Sequence, residues 1–269
     1  MRPLAEFPAA EVARLQGVFC DIDDTLTTDG RLTAAAYEAM ERLRAHGMMV
    51  VPITGRPAGW CDHIARMWPV DAVVGENGAF YFRYDHDLRA MRRQYVDQPA
   101  TRAANRSRLL GIGAHVVAAV PGARVSADQP YRETDLAIDF REDVPALTPA
   151  AVDRILMLMQ QHGLTAKVSS IHVNGWFGRY DKLSMTRTLM QECFGVALDA
   201  RKEDYVFIGD SPNDAPMFAF FPHSVGVANV KNFDGRLPAA PAYATRRESG
   251  AGFCELADLL TLARARDAT

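Results

Sequence analysis

Lysine is scarce in this 269-residue chain, which meets its need for 30 basic residues with 26 arginines and 4 lysines. A formal net charge of -3 and a pI near 6.2 leave no basic excess. Nucleic-acid and membrane-surface roles, which need such an excess, are therefore not expected, and a small-molecule partner is. Cysteine is also sparse. Cys20, Cys61, Cys193 and Cys254 lie far apart, with no C-x-x-C and no histidine at zinc spacing, so neither a disulfide frame nor a cysteine metal cluster is indicated. No run approaches the roughly 18 apolar residues of a membrane span. Met1 to Gln16 carries charges throughout and lacks the apolar stretch of a signal peptide, so a cytoplasmic setting is expected. Repeats and low-complexity tracts are missing too. What remains, 48% hydrophobic and 23% charged residues, describes a soluble chain able to bury a large core in one large domain or two modest ones.

The stretch Val18-Phe19-Cys20-Asp21-Ile22-Asp23-Asp24-Thr25-Leu26 organises the rest, because it runs an apolar strand straight into packed carboxylates. Three aspartates within four residues repel one another, so a fold that gathers them needs a cation or bound ligand close by; the bland alternative is an Asp-rich turn. Thr33 can cap a helix through about Ala45, with Gly47 as its left-handed stop. Met48 to Ile53 reads as a strand covered on both faces, ending in Thr54-Gly55-Arg56-Pro57, and a helix from about Pro57 to Met67 leads to Ala72-Val73-Val74-Gly75. The pattern is βαβαβ, a doubly wound parallel sheet, and in such sheets chemistry gathers at the carboxyl ends of strands.

From about Arg83 the text turns Arg-rich and reads as an insertion. An apolar helix covers Leu109 to Val120, strands cover Arg124 to Ala127 and Asp135 to Phe140, Thr148-Pro149 opens a helix, and a strand runs from Ala166 to Phe177. On that last strand His172, Asn174 and Trp176 alternate with Ile171, Val173 and Phe177. The apolar face is expected on the insertion's helices, leaving a donor, an amide and an indole free for a sugar-like group; the alternative is that this face is merely wet and Trp176 fills the hinge. A helix then starts near Asp181 with Lys182 in its first turn. A compact ammonium can reach a carboxylate and a phosphate together, whereas a solvated lysine would face the positive end of the helix dipole. Tyr205 to Ile208 repeats the opening design and ends in Gly209-Asp210-Ser211-Pro212-Asn213-Asp214, where one acid can ligate a metal and the other support it. Ser211 and Asn213 are also ordinary cap residues. Ser224 to Ala228 is a further strand, Ala242 to Thr245 an edge strand, and Gly252 to Arg264 a closing helix.

With Asp21-Ile22-Asp23-Asp24-Thr25, Thr54-Gly55-Arg56, Lys182 and Gly209-Asp210-Ser211-Pro212-Asn213-Asp214 in this order, the chain resembles the haloacid dehalogenase superfamily of phosphotransferases. The insertion looks like the type II cap, and Glu76-Asn77-Gly78 looks like the branch containing Cof-like, sucrose-phosphate and mannosyl-3-phosphoglycerate phosphatases. The resemblance implies an α/β fold with a doubly wound, Rossmann-like parallel-sheet core (1-83 and 178-269) and an inserted α+β cap (84-177). It implies Mg²⁺-dependent hydrolysis of a small phosphate ester, a sugar phosphate for most of that branch. Asp21 would be nucleophile and metal ligand, and Asp23 general acid and base and a ligand through its carbonyl. Asp210 would complete the metal ligands, with Asp214 among or behind them. Thr54, Lys182 and the amides near Ile22 and Gly55 would hold the phosphoryl oxygens, with Arg56, Asn77 and Asn213 as further substrate contacts. The same motifs would serve a phosphomutase or phosphotransferase, and a silent scaffold that only binds ligand would be expected to have lost one of the acids or the lysine. A dehalogenase would not need Asp23, since halide leaves unprotonated. Asp24 and Leu183 stand where Gly is frequent in relatives, the first adding charge by the metal and the second bulk near the phosphate.

Overall fold

A computed structural model describes residues 1–267 of the chain. A two-residue strand β1 (Arg2–Pro3) and a short helix α1 (Ala9–Arg14) come first, followed by β2 (Gly17–Cys20), buried at every residue. A small hairpin of β3 (Thr27–Thr28) and β4 (Arg31–Leu32) precedes α2 (Ala34–Ala45), where the Thr33 hydroxyl accepts the Ala36 N–H as the cap. Then come β5 (Met49–Pro52), α3 (Ala58–Met67), β6 (Val73–Gly75), β7 (Phe80–Asp85) and β8 (Ala90–Tyr95).

The core sheet is parallel throughout, in the order β1, β15 (Tyr243–Ala244), β14 (Ser224–Gly226), β13 (Tyr205–Gly209), β2, β5. Tyr243–Ala244, expected at an edge, is interior because Arg2–Pro3 pairs outside it. The third expected parallel strand also differs. Val73–Gly75 meets the sheet through a single parallel bridge, Ile53 to Val74, and pairs antiparallel with β7, which pairs in turn with β8. The reversal is made by Glu76, Asn77 and Gly78, all at positive φ (42°, 56° and 104°). Gly78 is required there: a Cβ would stand 2.0 Å from the Asp181 carbonyl oxygen.

The hairpin β7–β8 crosses residue 84, where the sequence places the start of the insertion, and its Met91 and Tyr95 pack on the core's apolar cluster. Beyond it lie α4 (Pro99–Ala119), β9 (Arg124–Val125), β10 (Asp135–Asp139), α5 (Pro149–Gln161), β11 (Thr165–Val168) and β12 (His172–Trp176). These strands form an antiparallel sheet in the order β11, β12, β10, β9. The strand expected over Ala166 to Phe177 is thus two strands, turned where the Ser169 hydroxyl takes the His172 N–H at 3.0 Å. Leu136, Ile138 and Val173 pack on Leu109, Val116, Ile155 and Met159 of the two helices, so the apolar face lies where the alternation puts it. The opposite face, with Asp135, Asp139, His172 and Asn174, is buried rather than free.

The chain re-enters the core through α6 (Lys182–Phe194), capped by Asp181 and Ser184 and stopped by Gly195 at φ 67°. Then follow α7 (Leu198–Arg201), β13, α8 (Ala215–Phe220), β14, β15 and α9 (Ser249–Asp267).

Candidate active site

Three neighbouring strands, β5, β2 and β13, end together, and their register sets the site. Ile208 pairs with Cys20 and Cys20 with Pro52, so Asp21, Thr54 and Asp210 leave the sheet at one edge. Lys182, from the first turn of α6, reaches them from the side: its Nζ donates to Asp21 Oδ1 and Asp214 Oδ1, both at 2.7 Å. Asp214 is held from behind, its Oδ2 accepting the N–H groups of Asp210 (3.0 Å) and Ser211 (3.2 Å). Gly209 makes this possible, since a Cβ there would lie 2.4 Å from Asp214 Oδ2.

Carboxylate oxygens of Asp21, Asp210 and Asp214 lie within 4.8 Å of one another, all buried. Against one lysine, three buried carboxylates leave an excess of two negative charges. Burial first, and the neighbouring Asp214 and Asp23 with it, push the Asp21 carboxyl up to about 8 against the pull of Lys182. Burial and then Asp21 and Asp214 raise Asp210 as well. Asp210 Oδ1 accepts no hydrogen bond although it is buried, while Oδ2 meets Asn229 Nδ2 at 3.3 Å. Oxygen donors, a charge excess and an orphaned buried oxygen suit a small, hard divalent cation.

A second group lines the same edge. Thr54 Oγ1 accepts the Arg56 N–H at 3.0 Å, leaving its hydroxyl proton for another acceptor. The Asn77 N–H donates to the Thr54 carbonyl at 3.0 Å, and Asn77 Oδ1 accepts from Asn213 Nδ2 at 3.2 Å. Asn77 Nδ2 is buried without a partner, close to Gly55.

Asp23 stands apart by its side chain. Its Oδ1 accepts from Arg56 Nε at 2.8 Å and Nη2 at 2.6 Å, so the carboxylate is not in the three-aspartate cluster. The expected ligand at Asp23 is its backbone carbonyl, which this side-chain ion pair does not engage. Arg56 is occupied too, by Asp23, by Glu142 of the cap (2.5 and 3.2 Å), and at 3.5 Å by Asp128. Its expected role as a direct substrate contact gives way to one between core and cap. His172 belongs to the same group, with Nε2 3.0 Å from Glu142 Oε2 but out of line for a hydrogen bond. Asp23 lines two adjoining recesses. One, of about 450 Å³, is bounded by Arg31, Arg56, Arg141 and Glu142. The other, of about 370 Å³, is bounded by Trp60, His63 and Trp68.

Asn174 and Trp176 are not free to meet a ligand, and the reading of this face as a substrate surface is corrected for both. Asn174 Nδ2 donates to Asp135 Oδ2 at 2.8 Å, while the Trp176 indole donates to the Tyr180 carbonyl at 3.2 Å within the core cluster. The reason is the core pressed on this face. Arg132, fully buried, bonds Asp128 and Asp135 and reaches the Gly55 carbonyl at 2.8 Å. Leu183 is likewise no obstacle at the phosphate site, because it packs with Met185 and Leu189 in the core. Asp24 holds φ 55°, the left-handed region, which accounts for glycine being frequent there.

Residues the sequence did not single out include Glu142, Arg132 and Asn229. Asn229 follows a strand's carboxyl end, a signal that was available; it bridges Asp210 and the Asp24 carbonyl (3.0 Å). Glu142 lies in a charged turn that resembles any solvated one.

Residues 18–104 match the family model of haloacid dehalogenase-like hydrolases. No curated protein matches the chain. Among solved structures, the C-terminal domain of a trehalose-6-phosphate phosphatase from C. albicans is 13% identical, with a TM-score of 0.69 over 97% of this chain and 98% of its own. A HAD/COF-like hydrolase from Plasmodium vivax is 18% identical, with a TM-score of 0.63 over 97% and 100%. The sucrose-phosphatase of Synechocystis sp. PCC6803, solved with sucrose and phosphate, is 16% identical, with a TM-score of 0.61 over 91% and 98%. At such identities the likeness is one of fold. The resemblance carried by the four motifs is thus borne out, by a match to the haloacid dehalogenase-like hydrolase model over residues 18–104 and by a fold shared across more than nine-tenths of the chain.

Proposed function

We propose that the protein is a Mg²⁺-dependent phosphomonoester hydrolase, acting through an aspartyl-phosphate on a small phosphorylated metabolite of the sugar-phosphate class. The observation that carries this reading is the buried Lys182 bridging Asp21 and Asp214 beside Asp210, whose Oδ1 lacks a donor. Asp21 attacks phosphorus while the bond to the leaving oxygen breaks, and Asp23 gives that oxygen its proton. Water, deprotonated by Asp23, then attacks the same phosphorus, and the bond to Asp21 breaks to release inorganic phosphate. In this reading Lys182, the Thr54 hydroxyl and the unpartnered Asn77 amide, all buried, would hold phosphoryl oxygens, and a low-dielectric setting would strengthen each contact. Asp21, Asp210 and Asp214, with the Asp23 carbonyl, would hold Mg²⁺, which supplies positive charge against that building up on the transferring group. The sugar class rests on the names of the sucrose and trehalose-6-phosphate phosphatases that share the fold.

The division into a core and an inserted cap is part of the proposal, with the expected boundary at residue 84 moved past β8 (Ala90–Tyr95), because Met91 and Tyr95 pack on the core. No helix among the described residues is long and apolar enough to cross a membrane; with four unpaired cysteines, a cytoplasmic setting is the reading adopted. Assay of the purified protein against a panel of phosphate esters with Mg²⁺ tests the function. Release of phosphate from one or more sugar phosphates is expected, and no release from any ester in the panel would reject it.

A further inference from the structure

Arg56 is divided between the two halves of the molecule. Toward the core, Nε and Nη2 both donate to one oxygen of Asp23, at 2.8 and 2.6 Å. Toward the cap, Nη2 and Nη1 donate to the two oxygens of Glu142, at 2.5 and 3.2 Å. Glu142 is itself set in a stiff turn, because the Asp139 carboxylate accepts the N–H groups of Arg141, Glu142 and Asp143, each at 2.8 Å. His172 stands against its Oε2. The Arg56 side chain is 4% exposed, so its geometry is fixed by these carboxylates rather than by water. Both Asp23 bonds fall on Oδ1, and Oδ2 makes none with a described side chain or N–H.

We propose that Glu142 is a positioning residue for the chemistry at Asp21. It reaches down from the cap to orient the Arg56 guanidinium, which clamps Asp23 by one oxygen and leaves the other to exchange the proton with the leaving group. The inference rests on the reading of Asp23 as general acid. A carboxylate held by a planar fork loses the rotations that would carry it off line, and proton transfer is sensitive to misplacement of that size. With Glu142 withdrawn, the far edge of Arg56 loses both of its hydrogen bonds and keeps only the longer approach of Asp128 at 3.5 Å. The acid is therefore aligned only while the cap is down, which couples closure over the ester to readiness for bond breaking.

The rival role for the same contacts is a clasp that holds the cap shut and nothing more. The two separate on a pair of small esters, phenyl phosphate, whose leaving oxygen needs a proton, and p-nitrophenyl phosphate, whose leaving oxygen hardly does. A clasp would lower kcat/KM equally for both. Positioning predicts that E142A lowers kcat/KM for phenyl phosphate about tenfold more than for p-nitrophenyl phosphate, a part of the general-acid contribution. E142Q, which keeps a carbonyl acceptor for the guanidinium, should shift the ratio less, and D23N should shift it most. Because Glu142 is on the surface side of the pair, E142A is expected to fold, which far-UV circular dichroism and urea unfolding would check. An unchanged ratio in E142A with a changed one in D23N overturns the role of Glu142 and leaves the acid standing. An unchanged ratio in D23N removes the acid assignment itself, and this inference with it.

Discussion

Two buried clusters in this molecule look alike by composition. In one, Asp21, Asp210 and Asp214 surround Lys182; in the other, Asp128 and Asp135 flank Arg132, with Glu76 beside them. The second cluster is saturated. Asp128 takes Arg132 and the Ser126 hydroxyl, Asp135 takes Arg132 and Asn174, and Glu76 takes the N–H groups of Ala58, Glu133, Thr134 and Asp135. In the first, Asp21 receives the lysine and Asp210 a long bond from Asn229, with one oxygen left bare. Equal charge thus has different meanings: a deficit of donors, rather than an excess of acids, marks the cluster with room for a ligand.

The largest effect that sharpens this contrast is expected at Asp21. Asp21→Asn should lower kcat by about four orders of magnitude or more, with circular dichroism unchanged, because an amide cannot attack phosphorus. Phosphate release near the wild-type rate would break the covalent mechanism. In the saturated cluster the expected loss is of stability. Arg132→Met strands two buried carboxylates and should reduce unfolding free energy by about 3–5 kcal/mol, read from urea titration. A wild-type midpoint would mean that the network is not structural.

Metal should tell the clusters apart directly. Removal by EDTA should abolish turnover and Mg²⁺ restore it, while Ca²⁺, with more ligands and a looser shell, should fail to do so. At about a hundredfold excess over its Kd, Mg²⁺ should add roughly 2.7 kcal/mol of stability. The accompanying rise in Tm should vanish in Asp210→Asn and survive in Arg132→Met. The opposite pattern would place the cation elsewhere.

The smallest effect concerns the contact between the halves. Burial acts to raise the Glu142 carboxyl, but His172 and Arg56 outweigh it and hold the group at about 2 instead of 4.5. A folded-state value below the unfolded one gives stability that is full above about pH 4.5 and lost as pH falls toward 2. The difference in urea midpoint between wild type and Glu142→Gln should therefore be constant near neutrality and narrow through that range. A difference that stays constant down to pH 2 would show that Arg56 and His172 do not stabilise the ionised form.

The parts legible in the sequence are those set by nearby residues. Asp21 and Asp210 end buried apolar runs, Lys182 opens a helix capped by Asp181, and Gly47 and Gly195 stop helices at positive φ. Strand partnership was not legible, since Val73–Gly75 is as apolar as a central parallel strand yet turns antiparallel at Glu76-Asn77-Gly78. Alternation correctly put His172, Asn174 and Trp176 on one face, but what covers a face comes mostly from distant chain, here Arg56 and Arg132, with only the Tyr180 carbonyl supplied locally. Glu142 escaped for the same reason, because its only distinction is the guanidinium that tertiary structure sets opposite it.

The way Glu76 grips the cap bears on how this protein can change over generations. One carboxylate accepts backbone N–H groups of residues 133, 134 and 135, and it asks for a side chain only at Thr134, whose hydroxyl it also takes. Backbone amides are common to every residue but proline. The joint is therefore nearly indifferent to side-chain identity at Glu133. Substitutions elsewhere in the cap can retune what it covers without disturbing this joint, whereas a proline at 133, 134 or 135 would remove one of its three N–H donors.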